Sequence, residues 1–205
     1  VWQEPEPFPF IRDEVNYGHP AFAANGTTLF FSSDAPEGQG GHDIYFTQMA
    51  GEGKWADPIN LGTFINTIGQ EQYPTVYKDT LFYSSDRLAG LGGLDIFKTY
   101  LNAEGQWVPP INLRSPLNSG ADDFGLIVDT FAASEENVLM QGFFTSSRGG
   151  AARNDDIFAF TLKGIQPGTD IVVVPNNEVP KEKPVDYQIF VSIRVMEPQF
   201  EVLDD

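Results

Sequence analysis

The chain has 205 residues, with 12 Lys plus Arg, 29 Asp plus Glu, no cysteine and a formal net charge of −17. This length suits one large all-β domain, or one domain with part of a second. The scattered basic residues disfavour nucleic acid as a partner, since phosphate binding needs clustered cations. The lack of cysteine excludes disulfides, thiolate metal sites and cysteine nucleophiles, and no apolar run reaches the roughly 18 residues of a membrane span.

A Trp-x-x-Pro motif begins at Trp2 and recurs at Trp55 and Trp107, with spacings of 53 and 52 residues. The later two copies continue into Pro-Ile-Asn-Leu. A period of about 50 residues with several short strands in each unit is typical of β-propeller blades. The apolar runs are short, rich in aromatics and bounded by Gly, Pro, Asn and Asp, which favours strands over helices.

Each unit repeats an apolar hairpin that ends in Ser-Ser, a glycine-rich loop and a strand that begins with Asp. The first hairpin turns at Asn25-Gly26, a strong hairpin signal because both residues accept positive φ at low cost. The second hairpin turns at Lys78-Asp79, and the third has a long turn before Val138. With the Trp-bearing strand, this predicts an all-β fold of β-propeller blades, each with four antiparallel strands.

Two repeated polar residues frame each glycine-rich loop. Asp43, Asp95 and Asp156 begin the third strands, and Ser33, Ser85 and Ser147 end the second strands ten, ten and nine residues earlier. A carboxylate at the strand start is expected to accept backbone N–H bonds from the loop. Calcium held by aspartates is the alternative. It is disfavoured because the usual Asp-rich loop spacing is absent and the three aspartates fall in three blades, so no metal or other cofactor is predicted.

The Gly-Gly pairs at 40–41 and 92–93 are expected to adopt positive φ where the chain doubles back. A phosphate-binding loop is the competing interpretation, but no helix and no P-loop lysine follow the glycines. Aromatic residues recur at equivalent places and are expected to pack between neighbouring blades. The recurring pairs are Phe30-Phe31, Phe82-Tyr83 and Phe143-Phe144.

Three units are too few for a closed propeller, which needs about four to eight blades, so we expect part of a larger one. Trp2 then belongs either to a preceding blade, which we prefer, or to the third unit, which lacks its own Trp-bearing strand. The predicted boundaries are 1–15 for the end of a preceding repeat, 16–62, 63–114 and 115–164 for the blades, 165–186 for a Pro-rich linker, and 187–205 for the first strand of a β-sandwich-like domain.

The sequence offers no catalytic constellation. There is no G-x-S-x-G or H-E-x-x-H motif, and neither His19 nor His42 has a matched nucleophile. The adjacent carboxylates at 122–123 and 155–156 would point to opposite faces of a strand, which disfavours a pair flanking one glycosidic bond. We therefore predict no enzymatic activity in these residues.

The stretch with His19-Pro20-Ala21, residues 25–34 and Asp43-Ile44-Tyr45 resembles the WD-like β-propeller repeat of the TolB type. The run from Trp2 to Phe160 is similar to the version found in periplasmic proteins of the OmpA family, including a peptidoglycan-linked component associated with type IX secretion. The third unit departs from that pattern, because it lacks the Gly-Gly-x-Asp spacing.

This resemblance implies a periplasmic, outer-membrane-associated scaffold with protein partners in the cell envelope. Peptidoglycan would be bound only through domains outside these residues, and a small β-sandwich would follow the propeller. The alternative is the propeller portion of a glycosidase or serine peptidase, with catalytic residues elsewhere. A carbohydrate-binding propeller is a third hypothesis, based on the aromatic content. The loops 34–42, 86–94 and 148–155 are predicted to face partners, because their side chains differ between repeats.

Overall fold

The computed structural model describes residues 4–51, 53–131, 138–149, 155–164 and 189–195, the last range as a backbone strand only. The described residues form three four-stranded antiparallel sheets and no helix. This confirms the all-β prediction. The first sheet contains β1 (Tyr17–Phe22), β2 (Thr28–Ser33), β3 (Asp43–Gln48) and β4 (Ile59–Asn60). The second contains β5 (Glu71–Tyr77), β6 (Thr80–Ser85), β7 (Asp95–Tyr100) and β8 (Ile111–Asn112). The third contains β9 (Asp123–Val128), β10 (Val138–Ser146), β11 (Asp156–Gly164) and β12 (Ile189–Val195).

The hairpin between β1 and β2 turns at the predicted Asn25-Gly26. Only Gly26 has positive φ, at 66°, whereas the sequence suggested it for both residues. Asn25 acts through its side chain, because Oδ1 accepts the N–H groups of Thr27 and Thr28 at 3.0 Å each. The asparagine therefore closes the turn by capping backbone donors, as Asx turns do.

The fourth strands of the first two sheets follow the predicted tryptophans. Trp55 and Trp107 each form an isolated bridge with the end of the preceding strand, and two-residue strands follow. Trp2 lies outside the described residues, as do the predicted linker and most of the segment from 187 to 205.

In the third sheet the fourth strand is β12, which pairs antiparallel with β11. The sequence assigned this strand to a separate β-sandwich-like domain, and the structure places it in the third sheet instead. The third unit has no Trp-bearing strand to pair with β11, so its edge is open to another strand. A run of alternating apolar and polar residues provides one.

Neighbouring sheets pack face to face through one shared pattern. The two predicted aromatics of β2 point to opposite faces: Phe30 packs toward the second sheet, and Phe31 faces the N-terminal segment. The first interface buries Phe30, Ile44, Leu61, Ile65, Leu81, Tyr83 and Phe97. The second buries Phe82, Ile96, Leu117, Leu126, Phe144, Phe158 and Phe160. The expectation that aromatics pack between repeats is confirmed for Phe30, Phe82, Tyr83 and Phe144, whereas Phe143 belongs to neither interface.

The N-terminal segment 4–15 covers the leading face of the first sheet. Phe8 and Phe10 pack against Phe31 and Tyr45, with the rings of Phe10 and Phe31 stacked at 5.6 Å. The connection between the first two sheets lies over the second sheet in the same way, through Leu61 and Ile65.

A buried asparagine joins each connection to the sheet before it. Asn66 Oδ1 accepts the N–H of Ile44 at 2.7 Å, while Nδ2 donates to the Ile44 carbonyl and to Asn60 Oδ1, both at 2.9 Å. Asn118 makes the same set of bonds with Ile96 and Asn112 in the next unit. These bonds fix how one sheet leads into the next.

Replacing the asparagine should destabilise the protein strongly. Asn118→Ala leaves the buried N–H of Ile96 without its acceptor and removes one of the two donors to the Ile96 carbonyl, the other being Leu113 N–H at 3.1 Å. We expect a loss of about 2–4 kcal/mol in the free energy of unfolding. Urea denaturation measures the loss. The control is Asn102→Ala, because Asn102 accepts two N–H groups in a surface turn; its cost should stay near 1 kcal/mol. Equal losses would contradict the role given to Asn118.

Candidate functional site

Asp43 and Asp95 anchor their glycine-rich loops, as predicted, whereas most of the third loop, before Asp156, lies outside the described residues. Asp43 is buried at the start of β3 and accepts the N–H groups of Gln39 at 2.5 Å and Gly40 at 3.2 Å, with Asn60 Nδ2 at 2.7 Å. Asp95 likewise accepts the N–H of Leu91 and, at 3.2 Å, Nδ2 of its own asparagine, Asn112. Both carboxylates fix loop to strand; Asp95 does so through Oδ2 alone, since its Oδ1 is buried without a hydrogen-bond partner.

For the third unit, the sequence placed the serine that ends the second strand one residue too late in the chain. The strand register pairs Asp156 with Ser146, just as Asp43 pairs with Ser33 and Asp95 with Ser85. Ser146 precedes its aspartate by ten residues, the spacing of the other units. The doubled serine concealed this, because either residue fits the motif.

Ser147 instead takes the place of the aspartate that follows Ser-Ser in the first two units. Its hydroxyl accepts the N–H of Asp122 at 3.1 Å. Asp34 and Asp86 accept the corresponding N–H groups of Asn16 and Gln70 at 2.7 and 2.9 Å.

Two buried carboxylates have structural roles that the sequence did not predict; Asp123 was considered only as one of an adjacent pair, and Glu71 not at all. Glu71 begins β5 and accepts bonds from Thr67 N and Oγ1, at 2.7 and 2.8 Å, and from Ser85 Oγ at 2.6 Å. Burial raises its pKa above the ordinary range. Asp123 begins β9 and pairs with Arg148 at 2.6 Å. In the sequence, the only indication of a shared role is that each carboxylate lies five residues after an asparagine, Asn66 or Asn118. Tyr17 occupies the equivalent position in the first unit, so the carboxylate does not recur in all three units.

The Gly-Gly pairs do not have the predicted positive φ. Their glycines are needed because neighbouring backbones approach closely. A Cβ on Gly40 would collide with the carbonyl oxygens of Thr67 and Gly69, and one on Gly92 with the backbone of Ala121.

The second half of each loop therefore packs onto the next repeat. Gly41 N–H donates to the Gly69 carbonyl at 2.7 Å, and Asp123 N–H donates to the Leu94 carbonyl at 2.6 Å. The predicted partner-facing surface is thereby reduced to the first halves, 34–39 and 86–91. In the third loop, residues 150–154 lie outside the described residues.

The first strands β1, β5 and β9 meet at a common edge, where three aromatic rings form a row. The ring centroids of His19 and Tyr73 are 4.0 Å apart, and those of Tyr73 and Phe124 are 4.8 Å apart. Irregular pairing with the second strand accompanies the row, and left-handed φ values of 53°, 55° and 64° occur at His19, Tyr73 and Gly125. A non-glycine residue in that region costs on the order of 1 kcal/mol. Left-handed backbone is kept at three equivalent positions, with strain at the two that are not glycine, and this marks the edge as a functional candidate.

The aromatic row has a neutral histidine at one end and lies near aspartate carboxylates toward its other end. Burial, and secondarily His42, lower the pKa of His19, whose Nδ1 is buried without a hydrogen-bond partner. Burial, and then the carboxylates of Asp155 and Asp122, raise the pKa of Tyr73. The row therefore offers a largely neutral aromatic surface.

Large apolar side chains are exposed at the same end of the sheets, where the loops and connections lie. Ile68 is 81% exposed, Phe64 64% and Leu91 53%. We call this surface, formed by the aromatic row, loops 34–39 and 86–91 and connection 61–69, the loop end. Within the described ranges, no group of three or more His, Asp or Glu side chains is placed to hold a metal ion.

No family model matches the chain, and no curated protein shows significant similarity to it. Among the residues that the structure describes, no helix has the length and apolar character required to cross a membrane.

Removing a loop anchor should cost stability in proportion to its burial. Asp43→Ala leaves two loop N–H groups and Asn60 without an acceptor, so we expect a loss of about 2–3 kcal/mol in unfolding free energy. Asp156 is only half-buried, and Asp156→Ala should cost about 1 kcal/mol or less. Chemical denaturation of both variants measures the difference. A larger loss for the Asp156 variant would refute the anchoring role.

Stability should fall with acidification through His19. Its folded pKa lies below the ordinary value of 6.5, so between these two values the unfolded chain binds more protons than the folded one. This contribution is present above pH 6.5 and is lost as the pH falls toward the folded pKa. Melting temperatures from about pH 5 to pH 8 should show a step that His19→Asn abolishes, since Asn tolerates left-handed φ. An unchanged step in the variant would assign it to another group.

Proposed function

We propose that this chain is a non-enzymatic repeat scaffold that binds protein partners at its loop end. The observation that carries this is the exposure of Ile68, Phe64 and Leu91 beside the aromatic row. Exposed apolar surface rimmed by polar residues is typical of interaction sites, protein interfaces among them. A protein partner would bury these side chains.

The framework beneath the loop end supports the same function. Repeated polar side chains are already engaged: Asp43 and Asp95 in the loops, Asn66 and Asn118 in the connections, and Glu71 with Ser85. Side chains that differ between repeats occupy the exposed loop halves, such as Gln39 in one loop and Leu91 at the equivalent place in the next. A rigid framework with variable loops is the usual design of a binding module.

We further propose that the three sheets are consecutive blades of a larger β-propeller of the TolB-like, WD-like type. Two observations support this arrangement: each sheet runs in chain order, and the three first strands meet at one edge while the faces stack. In a propeller the first strands surround the central axis, and loops at one end create the binding surface.

The proposed setting is the periplasm, in association with the outer membrane, with partners among cell-envelope proteins. The support is the resemblance of the repeat to propellers of OmpA-family proteins linked to type IX secretion. Peptidoglycan binding is assigned to domains outside these residues. The net charge of −17 agrees with a partner that is not nucleic acid.

The loop end should be necessary for partner binding. A double variant, Ile68→Glu with Leu91→Glu, places charge on the proposed surface and should reduce partner recovery about tenfold or more. Recovery is measured by quantitative mass spectrometry after affinity purification from the native cell envelope.

The matched control is Leu101→Glu. Leu101 is 50% exposed, close to the 53% of Leu91, and lies at the opposite end of β7, after the strand's last residue. It should retain every partner of the unmodified chain. If the control loses the same partners, or the double variant keeps them, the loop end is not the binding surface.

A further inference from the structure

The outer face of the third sheet carries apolar side chains that the other two sheets bury. Ile44, Ile96 and Ile157 occupy equivalent positions in the three sheets. Each is the second residue of its strand, and they pair with Ser32, Ser84 and Thr145 of the neighbouring strands. Ile44 and Ile96 are 0% exposed, whereas Ile157 is 56% exposed. On the same face Ile127, which pairs with Phe143, is also exposed.

The two internal interfaces show what covers this position. Ile44 is buried by Leu61 and Ile65 of the following connection and by aromatics of the second sheet. Ile96 is buried by Leu117 and by aromatics of the third sheet. In both cases the occupant is the leading face of a sheet of this repeat, together with the connection that lies over it.

The chain itself carries one further leading face of that kind. On the first sheet, Phe31 and Tyr45 hold the places of Tyr83 and Phe97, and Phe8 and Phe10 lie over them as Leu61 and Ile65 lie over the second sheet. Packing there is incomplete: Ile11 is 42% exposed, and a cavity of about 540 Å³ is lined by Phe10, Ile11, Tyr17, Phe31, Ala35, Tyr45 and neighbouring residues.

We propose that the chain associates head to tail with a second copy of itself, the outer face of the third sheet docking on segment 4–15 and the first sheet of the partner. The contact repeats the interface that the chain already makes twice within itself. Because the two docking surfaces differ, the contact is heterologous and yields a closed ring or an open chain of copies. It uses the faces of the stack rather than the loop end, so it goes beyond the partner binding proposed above. It rests on the proposed propeller arrangement, with the second copy supplying the further blades that three sheets need to close a propeller.

Charge predicts how this association responds to salt. Each copy has a net charge of −17, and repulsion between exposed charges is screened as ionic strength rises. Sedimentation and light scattering over a wide range of protein concentration should therefore show oligomers that become more stable with added salt. A protein that stays monomeric at every concentration and salt level would overturn the proposal and leave the face to a different partner.

Two variants test the two surfaces separately. Ile157→Lys on the outer face and Ile11→Lys on the leading face should each weaken association about tenfold or more. The matched control is Ile59→Lys, because Ile59 on β4 is 56% exposed, as Ile157 is. It should associate like the unmodified protein, and circular dichroism confirms that each variant is folded.

Mixing the two variants decides the geometry. Each retains one intact surface, so an equimolar mixture should form a dimer through a single remaining contact, while neither variant does so alone. If the mixture stays monomeric, or if Ile59→Lys dissociates as readily as Ile157→Lys, the head-to-tail contact is refuted.

Discussion

The link between a buried asparagine and an isoleucine backbone holds successive repeats together. The fourth strands of the first two sheets have only two residues, so the start of the third strand has little strand to pair with. Asn66 and Asn118 supply the missing acceptor to the N–H groups of Ile44 and Ile96. They also give each isoleucine carbonyl a second donor, beside the backbone N–H of Leu61 or Leu113. Since an unpaired backbone group in a core is costly, the asparagine fixes the connection, and the connection places the apolar side chains that the next sheet packs on.

A second layer of polar contacts builds on that link. Thr67 and Ser119 follow the asparagines directly and donate to Glu71 and Asp123, which begin the next sheets. The glycine-rich loop of the preceding sheet then rests on the same segment, through Gly41 and the carbonyl of Gly69. Each repeat is thus positioned by the one before it. This gives the loop end a fixed shape on which exposed apolar side chains can be presented.

The sequence was sufficient for features that recur with the same residue type. The strand class, a fourth strand in each of the first two sheets and the anchoring roles of Asp43 and Asp95 follow from identical residues at constant spacing, although the tryptophans lie before the fourth strands rather than in them. Where residue types change between repeats, the sequence pattern did not predict the structure. Glu71 and Asp123 occupy equivalent positions but have side chains of different length, and Tyr17 stands at that position in the first unit. For the Gly-Gly pairs, the sequence predicted positive φ, which depends on local backbone conformation. The actual reason for glycine is the close approach of Gly40 to Thr67, a tertiary contact that local sequence does not reveal. The pairing of β12 with β11 crosses an intervening segment, and no local pattern encodes it.

The length of the outer strands also affects aggregation. A sheet edge that presents many unpaired backbone groups can recruit strands from other molecules. With two residues each, β4 and β8 offer almost no template, and Pro58 and Pro110 precede them without an N–H to donate. β12 has seven residues, so the third sheet has the longest outer strand. A chain kept at high concentration is therefore protected against strand addition at two of its three outer edges.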